Sequence, residues 1–351
     1  MSAQLVNIEL SLTNRHDCEQ SALELLKIIR PEWNGKSIRF EIFTAGITNK
    51  IFAAFVDDGE RLVFRVFGKN TENFIDRDRE LKAMERLAQN GLAAPLYAKF
   101  ANGIVVGYLP GVTIHVDDMK DPRMQRRICS TMAAYHNMNG TVTPNVNDLF
   151  PFRKIRDFIG NIDTSSITDE TAFVREFPKE LEELQSLVVP LKEEIAFCHN
   201  DILVHNILFE KISDTVRFID YEYADYNYAL FDLANHFCEY SGVEKPDYSR
   251  CPSDDEIRSF SSMYLQERFG VIDERRVEEI TTRSPLFQAL SHLLWSSWSI
   301  VQSQNSVLDF DYVSYSKLRH EQYRKYLQKY KNHSAAGTVD RDLKCEDGTC
   351  V

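Results

Sequence analysis

Residues 197–223 read FCHNDILVHNILFEKISDTVRFIDYEY. Two short apolar runs, 207–209 and 216–219 (the second interrupted by Arg217), flank a polar stretch at 210–215. Ser213-Asp214 is the turn signal between them, so the segment reads as a β-hairpin. Polar, acid-bearing clusters stand at both ends: His199, Asn200, Asp201 and Asn206 before the hairpin, Asp220 and Glu222 after it. The triplet His199-Asn200-Asp201 alone is what an ordinary turn would show. The conjunction is more specific, because an Asn follows Asp201 by five residues and an acid ends the second strand. That arrangement suits phosphoryl transfer to a hydroxyl. One carboxylate takes the proton, while an amide and a second carboxylate hold metal against a triphosphate.

Working outward, the chain has 351 residues, 43% of them hydrophobic, enough for a large core and for two lobes. Its net charge of −12 and its lack of a basic stripe argue against nucleic acid or an anionic membrane as main partner. An ATP site needs only a local positive patch and remains compatible. Seven Cys without a CxxC spacing read as reduced intracellular thiols, not a disulfide framework or zinc site. Residues 1–17 hold no basic region followed by an apolar run, and no uncharged run approaches a membrane span. Cys350, second from last, does not make a prenylation box. The expectation is a soluble, cytoplasmic protein with no stable membrane insertion.

The pattern along the chain predicts an unpatterned start over 1–17 and a helix over 18–30 stopped by Pro31. Strands follow at 37–44, 50–56 and 61–67, then a helix over 72–89, then strands at 96–100 and 104–109. Pro110-Gly111 marks a hinge. Beyond it, helices are predicted at 122–138, 168–187, 229–240, 253–269, 274–303 and 312–331, with a short one near 153–159. Three parts are expected: an ATP-binding lobe over 1–110, a helical lobe with the hairpin over 111–333, and a polar, disordered tail over 334–351. The fold class is α+β, a protein-kinase-like two-lobe fold with an antiparallel five-stranded N-lobe and a mainly helical C-lobe.

Four further constellations carry chemistry. Gly46, Thr48 and Asn49 sit in a small-residue turn that lets backbone N–H groups approach phosphates. Arg65, a cation inside the apolar strand VFRVFG, needs an anionic partner, and Glu80 in the next helix is the candidate among Glu72, Asp76, Asp78 and Glu85. Gly107, Tyr108 and Leu109 lie at the hinge, where an adenine would use backbone groups. Trp295 and Trp298, then Tyr312 and Tyr315, recur at helical spacing; with Glu222, Tyr223 and Glu239 they could cage a small organic cation. Such an aromatic stripe alone is usually core. His199 reads as a structural support of the loop, and His205 as a local packing or solvent residue.

The segments FTAGITNKIF, VFRVFG, CHNDILVHNIL, FIDYEYADYNYALFDLANHFCEY and HLLWSSWSIVQ together resemble the choline/ethanolamine kinases, from about residue 21 to 330. The resemblance implies that Asp201 is the catalytic base and that Asn206 and Asp220 hold Mg²⁺. It makes Arg65 an ATP phosphate contact and sets Glu222, Glu239, Trp295, Trp298, Tyr312 and Tyr315 around an amino-alcohol head group. FTAGITNKIF and the run from Glu239 to Ser249 look more like ethanolamine kinases, so ethanolamine is the expected acceptor and choline a second one. The implied product, phosphoethanolamine, feeds phosphatidylethanolamine synthesis by the CDP-ethanolamine route. The resemblance also implies a homodimer, without pointing to an interface. Two rivals remain: a non-catalytic pseudokinase-like module that binds nucleotide or amine, and a phosphotransferase for an aminoglycoside or other small alcohol.

Overall fold

A computed structural model describes residues 3–11, 13–42, 49–56, 59–67, 76–138, 144–306 and 308–346, with side chains described as far as Ser334 except at 49 and 50. The chain forms two compact units, Met1–Val112 with Leu208–Glu222, and Thr113–Ile207 with Tyr223–Val351. It begins with β1 (Gln4–Val6), α1 (Arg15–Ile29), β2 (Ile38–Ile42), β3 (Asn49–Val56), β4 (Arg61–Phe67), α2 (Arg77–Gln89), β5 (Leu96–Phe100), β6 (Gly103–Gly107) and β7 (Val112–Thr113). There follow α3 (Pro122–His136), α4 (Phe150–Asn161), α5 (Phe177–Val188), β8 (Ile195–Cys198), β9 (Ile207–Glu210), β10 (Thr215–Phe218) and β11 (Asp225–Tyr228). Four helices close the chain: α6 (Ala229–Glu239), α7 (Asp254–Phe269), α8 (Glu274–Asn305) and α9 (Tyr312–Glu346).

The first unit is built on a six-stranded sheet in the order β1-β5-β6-β4-β3-β2. Alternation in β4 buries Leu62, Phe64 and Val66 on one face and leaves Arg65 on the other. Phe64 stacks on Phe52 of β3 at 4.8 Å, and α1 covers that face with Ala22, Leu25, Leu26 and Ile29. Each of the Leu and Ile side chains contributes about 2 kcal/mol of burial. Asn14 caps α1 by accepting from the Asp17 N–H, and Asp76 caps α2 by accepting from the Arg79 N–H.

Five strands were expected and six are present. The sixth, β1, runs parallel to β5 and is only three residues long, too short to show an alternating pattern. It is held by backbone pairing and by Asn102, whose amide accepts from the Leu10 N–H and donates to the Leu10 carbonyl, both at 2.9 Å. Gly111 stands at φ +137, a conformation strained for any side chain, and a Cβ there would crowd the Phe209 carbonyl oxygen of β9 at 3.1 Å. The hairpin strands β9 and β10 thus group with the first unit, whereas the sequence placed them in the helical part.

The second unit is organised around α6, which is buried at all eleven positions. Helix α8 packs against α6, α4 and α9, and α3 packs against α7. Helix α7 opens on a capping box between Ser253 and Glu256 and ends at Gly270 in the left-handed region. The single helix expected over 168–187 is instead a 3₁₀ stretch, Asp169–Glu176, followed by α5. Pro178 opens α5; it brings no N–H, which suits a first turn and interrupts a continuous helix. At the other end the backbone of α9 continues to Glu346, through much of the stretch expected to be disordered.

Candidate active site

In the first unit, the site is an acid–guanidinium cluster. Arg65 donates Nη1 to Glu80 Oε1 at 2.7 Å and Nη2 to Asp220 Oδ1 at 3.2 Å. Arg77 donates Nη1 to Glu80 Oε2 at 2.7 Å while its guanidinium carbon lies 4.1 Å from the Phe67 ring centroid. Of the acids competing for Arg65, Glu80 is therefore the partner, buried at 1% exposure, and Asp76 is a helix cap. Burial opposes the charge on Arg65, but Asp220, Glu80 and Glu222 overcome it and raise its pKa. Burial and the neighbouring Asp220 push the Glu222 carboxyl up to about 8, with Arg65 opposing. Asp220 follows β10 at φ +64, a conformation that costs a non-glycine residue about 1 kcal/mol or more. That turn carries the chain from the strand to Tyr221, whose hydroxyl donates to the Phe218 carbonyl at 2.7 Å.

The hinge residues end β6. The Gly107 and Tyr108 N–H groups are donated to the carbonyls of Pro95 (2.9 Å) and Arg61 (3.2 Å). Of the expected adenine contacts, these two amides are thus already used within the first unit. Gly46 and Thr48 lie outside the described residues; Asn49 opens β3 opposite Phe67, and its side chain also lies outside them.

In the second unit, Asp201 and Asn206 meet. The Asn206 amide donates both to the Asp201 carbonyl and to Asp201 Oδ2, each at 2.9 Å. The loop that carries them is gripped by groups the sequence did not disclose. Asp232 of α6 accepts the His199 N–H at 2.8 Å and the Asn200 N–H at 2.7 Å, one on each carboxylate oxygen. Asn200 stands at φ +69, fixed by donating to the Tyr223 carbonyl (2.8 Å) and accepting from Asn227 (2.7 Å). His236 Nδ1 donates to the Ile202 carbonyl at 2.9 Å, and His199 Nδ1 accepts from the Asp201 N–H at 3.3 Å. His205 is exposed. The one available signal for Asp232 and His236 was their spacing of four in a largely apolar helix that also carries Asn235 and Glu239.

Behind Asp232 lies a buried chain. His136 Nε2 donates to Asp232 Oδ2 (3.1 Å), the Tyr264 hydroxyl donates to His136 Nδ1 (2.6 Å), and Arg268 donates to Tyr264 (2.7 Å). Cys198 lies beside it, so His136, Cys198 and Asp232 bring three ligand-type atoms within 4.8 Å of one another. Both Asp232 oxygens are committed to N–H donors, and burial holds the Cys198 thiol well above its ordinary pKa. The trio is a hydrogen-bonded support of the loop rather than a metal centre.

The aromatic residues of the second unit form a continuous edge-to-face series. Ring centroids are 5.3 Å apart for Tyr223–Trp295, 5.9 Å for Trp295–Trp298 and 5.8 Å for Trp298–Tyr312. Phe310, which the sequence reading passed over, joins Tyr312 at 4.8 Å to Tyr315 at 5.7 Å. Trp295 is anchored by donating Nε1 to Asn235 Oδ1 at 2.8 Å. Glu239, expected beside the cation, accepts on Oε1 from Arg319 Nη2 at 2.6 Å. Burial pushes the Tyr315 hydroxyl up to about 12; Arg319 opposes, and the charges of Glu239 and Asp201 add to the rise. Glu222 and Tyr223 are neighbours in sequence but belong to different units, Glu222 with Asp220 and Arg65, Tyr223 with the aromatic series. Likewise Asp220 belongs to the first unit and Asn206 to the second.

Comparison with known proteins adds to this geometry. The family profile described as choline/ethanolamine kinase matches residues 40–324. Ethanolamine kinase 2 of Homo sapiens is 33% identical over 317 residues, covering 88% of this chain and 81% of its own. A Plasmodium vivax ethanolamine kinase superposes with a TM-score of 0.78 at 23% identity, covering 90% of this chain and 91% of that one. A Cryptosporidium parvum choline kinase does so with 0.75 at 22%, covering 91% and 97%. At these identities the two structures establish the shared protein-kinase-like fold. Among the described residues, no helix is long and apolar enough to cross a membrane.

Proposed function

This chain belongs to the choline/ethanolamine kinase family, and on that premise we propose that it transfers the γ-phosphoryl group of ATP to the hydroxyl of ethanolamine. The observation that carries the reading is the Asp201–Asn206 pair, held within one unit that also presents the aromatic series. Asp201 takes the hydroxyl proton as the oxygen attacks the γ-phosphorus. The bond from that phosphorus to the β–γ bridging oxygen breaks, leaving ADP and phosphoethanolamine. Arg65, kept charged by its acidic neighbours, binds phosphate oxygens; its planar fork suits two of them at once.

Mg²⁺ is the metal that fits. Asn206 uses its Nδ2 on Asp201, which leaves the Oδ1 for a hard cation. Asp220 gives one oxygen to Arg65 and has a side chain 42% exposed, so the second oxygen is open to metal. When bound, the ion neutralises charge developing on the β- and γ-phosphates. The family resemblance also carries a cytoplasmic, homodimeric protein that supplies phosphatidylethanolamine synthesis.

Choline is the second acceptor to consider, because aromatic faces attract a quaternary ammonium as well as a primary one. ADP release with ethanolamine, choline and an aminoglycoside in one preparation tests the proposal. The highest kcat/KM is expected for ethanolamine. A higher value for choline moves the assignment to choline kinase, and no release with either sinks the catalytic reading in favour of a binding module.

A further inference from the structure

Arg268 lies in the last turn of α7 and, although charged, has a side chain only 4% exposed. Its guanidinium is held on several sides. Nε donates to Asn137 Oδ1 and Nη2 to the His136 carbonyl, both at 3.2 Å. The cation therefore sits on the C-terminal end of α3, where the helix dipole favours it. Nη2 also donates at 2.5 Å to Glu194 Oε1, a half-exposed carboxylate just before β8, the strand that runs into the loop of Asp201. Nη1 donates to the Tyr264 hydroxyl at 2.7 Å, one turn back on the same helix.

A guanidinium can only donate, and a carboxylate can only accept. Arg268 stands at one end of the buried chain and Asp232 at the other, with Tyr264 and His136 between them. Burial keeps the His136 ring neutral, against the pull of Asp232, and keeps the Tyr264 hydroxyl protonated. A neutral ring has a single N–H, and a ring that faces a carboxylate must carry it on Nε2. Nδ1 is then bare and takes the proton of Tyr264, whose oxygen in turn accepts from Arg268. This order of donors satisfies every member. The other tautomer would turn a lone pair on Asp232 and push away the carboxylate that holds the His199 and Asn200 amides.

Taken with the function proposed above, on which its catalytic part rests, we propose that Tyr264 and Arg268 are positioning residues for Asp201. They act through His136: by fixing its tautomer they aim the Asp232 carboxylate at the loop amides, so that α7 presets the catalytic loop from behind.

Y264F tests this, because it keeps the ring and removes the hydroxyl. His136 Nδ1 loses its donor, and the imidazole becomes free to take either tautomer. kcat should fall roughly tenfold, the factor that one lost hydrogen bond corresponds to, with KM for ATP and for ethanolamine within about twofold of wild type. Amide hydrogen exchange at His199 and Asn200 should quicken by roughly the same factor, beyond any rise at the amides of α8. R268M removes the donor to Tyr264 and should move both readouts the same way. I257V trims a buried side chain of α7 about two turns from Tyr264 and is the control. It should lower stability while leaving kcat unchanged and the two loop amides in step with the rest of the chain. An unchanged kcat in Y264F, or loop exchange that rises only with the whole chain, overturns the proposal. Should neither variant fold, the wild type decides: nitrogen NMR shifts of histidine-labelled protein must place the His136 proton on Nε2, and a proton on Nδ1 or an imidazolium overturns the proposal. A wild type that phosphorylates no amine overturns the function, while the tautomer and the exchange rates still decide whether α7 holds the loop.

Discussion

Arg65 and Glu80 close an ion pair at 2.7 Å inside the first unit, with Glu80 sealed from solvent and Arg65 held at 11% side-chain exposure. Glu80 is also shared with Arg77, and Arg65 is also shared with Asp220. The arrangement fixes the direction of the Arg65 fork from two sides before any nucleotide arrives. It matters because preorganised charge is worth more in a buried site than mobile charge in water.

Arg65→Ala should therefore act on both stability and rate. Removing one partner of a buried pair costs about 3 kcal/mol, moderated here by Arg77, which stays on Glu80. The kcat/KM for ATP should fall roughly 100-fold. Arg65→Lys keeps the charge but not the fork and should lose less of each. Chemical denaturation and ADP-release kinetics on the two variants check this, and equal losses for Ala and Lys would show that geometry, not charge, is what matters.

Asp201→Ala should lower kcat by roughly 10²–10⁴-fold, the usual contribution of a general base. Nucleotide affinity should stay near that of the wild type, because Asp201 groups with the amine-side residues of the second unit. Single-turnover kinetics and nucleotide titration separate the two, and substantial residual turnover removes Asp201 from the role of base.

Asp232→Asn should weaken the catalytic loop without touching substrate. The carboxylate now accepts two backbone N–H groups, and an amide turns an NH₂ toward one of them. A buried donor left facing another donor costs about 1–3 kcal/mol. The melting temperature should drop and kcat should fall with KM little changed; a variant with normal kcat would show that the loop keeps its shape without Asp232.

His236 sets a pH dependence of stability. Burial brings its pKa down to about 4 from the ordinary 6.5, against the hydrogen bond to the Ile202 carbonyl and the charge of Asp232. A histidine held neutral in the folded state binds fewer protons than the unfolded chain, so its contribution is complete above pH 6.5 and is lost as pH falls toward 4. The full loss comes to ~3 kcal/mol. Glu222, with its pKa raised to about 8, has the opposite sign, so the wild-type profile alone does not isolate the histidine. The stability difference between wild type and His236→Gln does, since Gln can still donate to Ile202. That difference should shrink as pH is lowered from 7 to 5; a constant difference would place the His236 titration elsewhere.

Trp298→Ala should raise KM for choline and ethanolamine while sparing KM for ATP. One cation–π contact is worth about 1–2 kcal/mol when desolvated, hence roughly a tenfold rise. The same assay on Trp295→Ala should show lower stability as well, because Trp295 also carries the hydrogen bond to Asn235.

How much of this was legible in the chain follows from how local each feature is. The hairpin, the five-residue step from Asp201 to Asn206 and the acid after the second strand are properties of a few consecutive residues. Turn chemistry and strand length space them, so they could be read before any fold was known. Helix ends were readable for the same reason, as Ser253 with Glu256 before α7 and Gly270 after it show. The short strand β1 was not, because three residues carry no period and its stability comes from a partner strand more than ninety residues away.

The tertiary structure decided which charges meet. Arg65 had several acids within reach along the chain, and only packing of α2 on the sheet selected Glu80. Asp232 reaches back over 33 and 32 residues to the loop amides, and Arg319 over 80 residues to Glu239. Ion pairs and side-chain caps of this kind leave no periodicity, and each partner alone looks like an ordinary polar residue. Sequence by itself determined the fold class and supplied the candidate reacting groups, because those are written in local spacing. Only the folded core, by withdrawing Glu239 and Arg319 together from water, decided that these two side chains pair.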